Sequence, residues 1–455
     1  MTASSDSGLA VTLSIDATSS AVCSLSGSTV SFTAVGTCTV DADQAGNANY
    51  NAAAQAHQTF AVGKAAQTVH FTSSAPAGAV YSGPSYTVTG SADSGLAVAF
   101  TIDSSSSGIC SLSGSTVSFT GVGTCTIDGN QAGNANYSAA PQAQQSFAVG
   151  KASQTVSFTS SAPSNAVYGG PGYTVTASSD SGLAVTLSID AASSAVCSLS
   201  GSTVSYTAAG TCTIDANQAG NASYNAASQA QQTFTIGKAT PTVNWSNPAD
   251  ITYGTALDGT QLNATASVPG TLVYTPAAGT VLSPGNSQTL SVTFTPTDST
   301  DYTNASANVL INVGFSQPCI SGNAGGQTIG AGQAVCVTTG GNIGAVTISS
   351  GGSLWMQGGT VSGAIDASNG SAITLCGAHV SGHVFIDQDT GPVEIGGSSC
   401  AGNTITGNTQ ITNGTGGLSF VNNNVSGWIT ITNSTGGYTF SGNSASGTIT
   451  TSGNS

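Results

Sequence analysis

The sequence predicts an all-β chain: tandem β-sandwiches followed by a short parallel β-helix of about 20 residues per turn. Three observations carry this. Apolar and polar residues alternate over long stretches, the first half repeats at a step of 87 residues, and after Phe315 the period shortens to about 20. At 455 residues the chain is also too long for one core and divides into several domains.

The long repeat comes first. Ser-Gly-Leu-Ala-Val begins at Ser7, Ser94 and Ser181, and Tyr50 recurs as Tyr137 and Tyr224. Cys23 recurs as Cys110 and Cys197, and Cys38 as Cys125 and Cys212. Lys64, Lys151 and Lys238 each sit in a Gly-Lys-Ala tripeptide where one copy passes into the next. The implied spans are a partial copy over 1–62, complete copies over 63–149 and 150–236, a Cys-free module over 237–314 and a solenoid over 315–455.

Within the third copy, Val185, Leu187 and Ile189 alternate with Thr186, Ser188 and Asp190, which makes a half-buried strand. Similar alternation over 154–159, 173–176, 203–207, 211–215 and 232–236, broken by Gly, Ser and Asn, gives a sandwich of six or seven short strands with nothing helical in the pattern. Cys197 shares a face with Leu199, and Cys212 with Ile214. Both sulfurs therefore point into the core, and the expected pairs are Cys23–Cys38, Cys110–Cys125 and Cys197–Cys212. Each closes a loop of about 15 residues, worth roughly 3 kcal/mol on a chain-entropy model. No His or second Cys pair accompanies them, so a structural cystine explains the spacing better than metal or redox chemistry.

On these motifs, together with Gly-Thr-Cys-Thr-Ile-Asp-Ala-Asn-Gln-Ala-Gly-Asn-Ala-Ser-Tyr ending at Tyr224, residues 1 to about 236 resemble a bacterial Ig-like domain family found in tandem on secreted and cell-surface proteins. The resemblance implies an immunoglobulin-like sandwich and a spacer or adhesive role, and it carries over no catalytic residues. The module over 237–314 looks related: Asp301-Tyr302 sits where the other copies carry Tyr224, and Trp245 reads as a core residue. No Pro-rich or Ser-rich linker separates the copies, so a fairly stiff array is expected. Met1 stands where Val175 opens the same octet of the third copy. The first copy is thus expected to lack its opening strands, and a truncated start would also hide any signal peptide.

In the solenoid, Gly344, Gly363, Gly382, Gly407, Gly427 and Gly447 each open a turn. Three apolar groups recur per turn, such as Val425, Ile429 with Ile431, and Tyr438 with Phe440, which describes a three-sided parallel β-helix. Cys376 and Cys400 fall in adjacent turns and Cys319 and Cys336 in the first, giving two further expected disulfides. Leu-Cys-Gly-Ala-His-Val-Ser-Gly from Leu375, Cys-Ala-Gly-Asn-Thr-Ile-Thr-Gly from Cys400 and the Thr-Gly-Gly turns resemble an uncharacterised β-helical domain that ends some secreted bacterial proteins.

The candidate site is a polar cluster of His379, His383, Asp387, Asp389 and Glu394, with His383, Phe385 and Asp387 on the outer face. A carboxylate pair or metal site there would suit a polysaccharide lyase or hydrolase with Ig-like spacers. Against this alternative, the solenoid has no Arg or Lys to neutralise uronates. A flat threonine face of the ice-binding kind, through Thr347, Thr412, Thr430, Thr432 and Thr450, is broken by Asp366, Phe385, Asp387 and Gln410. Asp41, Asp128 and Asp215 are candidate calcium ligands; no other cofactor is expected.

Composition bounds partners and location. Only 5% of residues are charged, against about 25% in a typical soluble domain, and the chain has no Arg, three Lys and a net charge of −15. It cannot neutralise phosphates, which excludes nucleic acid and anionic membranes as backbone-bound partners. No apolar run reaches the roughly 18 residues of a membrane span. Ten Cys, an even number, point to an oxidising compartment. The expectation is a non-catalytic secreted or cell-surface protein, an Ig-like stalk displaying a β-helix, with a glycan or surface protein as candidate partner.

Overall fold

The computed structural model describes residues 1–397 and 400–455. The chain is all-β: sandwich-like domains precede a parallel β-solenoid of about six turns, roughly 20 residues each. The only helical elements among the described residues are three 3-10 turns, Ala17–Ser19, Ser104–Ser106 and Ala191–Ser193. The alternation pattern did not contain them. Each is started by an aspartate (Asp16, Asp103, Asp190) whose carboxylate accepts the backbone N–H two residues on, a local cap that needs no periodicity.

The chain divides into two compact units: Met1–Pro163 with Gly172–Ser205 and Cys212–Phe234, and Ser164–Pro171 with Tyr206–Thr211 and Thr235–Ser455. In the first unit, the second copy shows the sandwich in full. A four-stranded sheet orders Ala99–Ile102, Gly123–Asn130, Ala143–Gly150 and Ala79–Val80; a three-stranded sheet orders Cys110–Ser113, Thr116–Phe119 and Tyr86–Thr87. Val69–Phe71 pairs separately with Gly90–Ala92. The Cys110–Cys125 bond joins the two larger sheets, Cα to Cα 5.8 Å, amid buried Val88, Val117, Phe119, Ile127 and Val149. The same bond recurs as Cys23–Cys38 and Cys197–Cys212.

The first copy has a three-stranded sheet (Thr12–Ile15, Gly36–Asp43, Ala56–Val62) and the hairpin Cys23–Ser26/Thr29–Phe32, with no third strand paired to Thr29–Phe32 among the described residues. Phe32 is consequently 58% exposed, where its counterpart Phe119 is 4% exposed.

In the second unit, residues 237–314 build a four-stranded sheet ordered Ile251–Thr252, Ala305–Gly314, Gly285–Pro296 and Gly270–Thr275. Leu257, Leu290, Val309 and Ile311 fill its core, and Trp245 packs on it, edge-on to Tyr274 with Nε1 donating to Gln261 O at 3.0 Å. Among the described residues the solenoid has three parallel sheets of seven, six and six strands, and Val, Ile, Leu and Phe stack inside it turn on turn. Cys319–Cys336 and Cys376–Cys400 are both bonded.

Two devices fix the solenoid's register. At one corner Asn403, Asn423 and Asn443 form a ladder: Asn423 Oδ1 accepts from Asn403 N and Nδ2, while its Nδ2 donates to Ile395 O at 2.7 Å and to Asn443 Oδ1. At another corner Asn369, Gln388, Asn413 and Asn433 all adopt left-handed backbone (φ 56 to 60°), which turns the chain sharply between sheets. The module over 237–314 docks on the solenoid through Tyr253, whose hydroxyl lies 3.0 Å from Thr374 Oγ1, and through Phe315, which contacts both Tyr253 and Trp355. Burial pushes the Tyr253 hydroxyl up to about 12. Gly254 is required at this contact: at φ +94° it lies so close that an added Cβ would sit 1.8 Å from Ser353 Oγ.

Candidate functional site

The seven-stranded sheet of the solenoid carries a surface that mixes rings, carboxylates, amides and hydroxyls. In its strands Ile365–Ser368, Val384–Asp387, Thr409–Thr412 and Ile429–Thr432, alternation turns Ile365, Val384, Ile386, Ile411, Ile429, Ile431 and one polar residue, Thr409, inward and leaves the other polar residues outside. Parallel pairing then stacks the outward side chains in columns. One runs Thr347, Asp366, Phe385, Gln410, Thr430, Thr450, and the next Ser368, Asp387, Thr412, Thr432, Ser452. A groove of about 570 Å³ follows these columns from Thr347 to Thr432.

The groups on this face are held in place. His383 Nε2 lies 2.9 Å from Asp366 Oδ1, and the His383 ring stacks on Phe385 with centroids 4.1 Å apart. Phe385 in turn lies nearly parallel to Trp428 at 6.3 Å. Asp387 Oδ1 accepts from Thr412 Oγ1 at 2.6 Å and from Asn413 Nδ2 at 3.0 Å. The arrangement presents ring surface beside oriented hydrogen-bonding groups, and its only formal negative charges are two carboxylates.

The five-residue polar cluster expected from sequence is not one site. His383 and Asp387 share this face, but His379 lies on a different sheet, in register with Thr360 and Thr404, and Glu394 on the third, between Thr374 and Ser419. A three-sided coil sends residues a few positions apart to different sides. Asp389 is on no face: it is fully buried at the corner, its Oδ1 accepting Gly370 N at 2.7 Å and its Oδ2 without a partner. Burial, reinforced by the charge of Asp387, pushes its carboxyl up to about 6 against the lowering effect of the Gly370 N–H. Sequence reasoning also passed over Trp428; the signal available was its place two turns from His383 at the same strand start.

Asp41, Asp128 and Asp215 are each nearly buried. His57 Nδ1 stands 2.6 Å from Asp41, and the Gln144 and Gln231 amides donate to Asp128 and Asp215 at 2.8 Å. No three His, Cys, Asp or Glu residues stand together as a metal site among the described residues. Likewise, no described helix is long and apolar enough to cross a membrane.

The fold and this face define a chain of repeated, disulfide-closed β-sandwiches ending in a parallel β-solenoid with an open polar groove. No protein-family model matches it, and no characterised protein matches its sequence. Among solved structures it is similar to immunoglobulin domains 1–5 of Sidekick-1, at 11% identity over 65% of this chain and 71% of that one, TM-score 0.24. It is also similar to Drosophila N-cadherin EC1-4 (11%, 67% and 92%, TM-score 0.18) and to domains 4–9 of the surface layer protein SbsC (13%, 67% and 58%, TM-score 0.16). None of these likenesses reaches the level of a shared superposable architecture.

Proposed function

We propose that the chain is a non-catalytic structural and adhesive protein of the cell surface or extracellular space, in which the sandwich modules are spacers and the solenoid presents a binding face. The observation that carries this reading is how copies join within the first unit. Tyr81 of the second copy packs edge-on to Tyr224 of the third at 5.4 Å and its N–H donates to Gly150 O at 2.9 Å, while the opening of the third copy is tied to that copy's own body, Ala152 by a bridge to Tyr224 and Lys151 by an Nζ bond to Asn221 O at 2.6 Å. A ring pair across the junction, with the connecting residues fixed to the following copy, is suited to holding neighbours in one orientation. Five disulfides, which persist in oxidising compartments, support the location.

Trypsin tests the spacer role, since it can cut only after Lys64, Lys151 and Lys238. The native protein should resist cleavage at Lys151 under conditions that digest the reduced, unfolded chain; rapid native cutting there would refute the held junction. A screen for new reducing ends or unsaturated products on neutral and acidic glycans tests the absence of chemistry. Turnover that disappears in Asp387→Ala would establish the polysaccharide-active alternative.

A further inference from the structure

We infer that the outer face of the seven-stranded sheet binds an extended, uncharged polysaccharide lying along the solenoid axis across Asp366, Phe385, Asp387, Gln410 and Trp428. The inference rests on the binding role proposed for the solenoid and names its ligand class.

Spacing gives the first argument. Successive turns lie about 4.8 Å apart, close to the length that one pyranose ring adds to an extended β-linked chain, so each sugar can meet an equivalent position on each turn. The groove from Thr347 to Thr432 crosses five such rungs, the one beginning at Thr347 and those carrying Asp366, Phe385, Gln410 and Thr430.

Chemistry gives the second. A pyranose has an apolar C–H face and a rim of hydroxyls, so it calls for aromatic surface beside fixed hydrogen-bonding groups. Phe385 lines the groove, and His383, stacked on it at 4.1 Å, and Trp428, 6.3 Å away just outside the groove lining, extend the ring surface. Asp387 and Asp366 supply acceptors already oriented, the first by Thr412 and Asn413 and the second by His383, so little ordering is left for binding to accomplish.

Charge decides among polysaccharides. Residues 315–455 contain no Lys or Arg, so a uronate, sulfate or phosphate laid on this face would meet two carboxylates and no cation. A protein partner is disfavoured for a different reason. The large hydrophobic side chains most exposed among the described residues are Phe32, Tyr50, Val167, Val273, Leu310 and Ile449, none of them in this groove, and Phe385 is the one aromatic side chain lining it, an apolar surface narrower than the centre of a protein interface.

The test uses the full chain, with cellohexaose and chitohexaose as neutral probes and polygalacturonate as the anionic one, read by calorimetry and by retardation in gels containing the polymers. At least one neutral probe should bind, with little dependence on salt, and polygalacturonate should not. Phe385→Ala and Trp428→Ala should each weaken neutral binding about ten-fold or more. His379→Ala, on another sheet, should leave it unchanged. Unfolding curves of the variants show whether each is folded, and Gln410→Lys, which places a cation in the groove without removing ring surface, provides an independent variant that should also weaken binding. Absence of binding to either neutral probe, binding to polygalacturonate alone, or neutral binding unaffected by both ring substitutions would overturn the inference. None of these results would alter tryptic resistance at Lys151, so failure of the ligand assignment is distinguishable from failure of the spacer reading.

Discussion

Replacing Asp389 with asparagine should stabilise the solenoid at neutral pH and do little in acid. The corner it occupies has a working asparagine elsewhere: Asn454 Oδ1 accepts Ser434 N at 2.8 Å while its Nδ2 donates to Ile431 O at 3.0 Å. Asp389 reproduces the first bond, through Gly370 N, but its Oδ2 is a buried acceptor with no donor. An ionised carboxylate there is therefore both desolvated and short of one hydrogen bond. Burial moves the carboxyl from 3.8 up to about 6. For an acid raised on folding, the stabilising contribution is whole below about pH 3.8 and is lost as pH rises through 6. At pH 7.5 the deficit is about 3 kcal/mol. An amide carries no charge and restores the donor, so Asp389→Asn should recover about 2–3 kcal/mol at pH 7.5 and close to nothing at pH 4. Guanidinium unfolding of both proteins at the two pH values, followed by tryptophan fluorescence, measures the difference. Equal stability at pH 7.5, or a gain of the same size at pH 4, would refute the reasoning.

Three further sets of substitutions probe other parts of the fold. Gly254→Ala should cost about 2–3 kcal/mol by forcing Ser353 away from the docked module, and Ser353→Gly in the same chain should restore part of it, as thermal unfolding can show. Phe119→Ala should destabilise its copy by about 3–5 kcal/mol, whereas Phe32→Ala, at an exposed equivalent position, should cost under about 1 kcal/mol; comparable losses would contradict the difference in packing. Opening Cys197–Cys212 by a double Ser substitution should cost roughly 3 kcal/mol, read as a shift of the unfolding midpoint that added reductant does not increase at this pair.

The sandwich copies were legible because their information is local and repeated. Alternation names the strand faces, and two cysteines on inward positions of strands in the two facing sheets leave little choice of partner. The 3-10 turns were hidden for the opposite reason, since each depends on one aspartate and spans three residues. In the solenoid the inward Val and Ile were readable, but not which of three sides each polar residue occupies. The step between turn-opening glycines is 19, 19, 25, 20 and 20 residues, so a few positions of slippage move a side chain around a corner. That is how Asp389, at a buried corner, read as part of a surface cluster with His383 and Asp387. Gly254 carried no sequence signal, because the atom that demands it, Ser353 Oγ, is about a hundred residues away.

The asparagine ladder has a consequence for how such a protein can change. Along the ladder, register is held by the buried amides of Asn403 and Asn423 and by aliphatic side chains inside the coil, so the outward column from Thr347 to Thr450 contributes little to specifying the fold. Phe385, Gln410 or Thr430 can be exchanged one at a time while Asn403, Asn423 and Asn443 keep the turns they join aligned. Duplicating a turn adds one more rung of the same geometry. A lineage could therefore acquire new surface preferences by single substitutions, or lengthen its groove in whole turns, without first evolving a new scaffold.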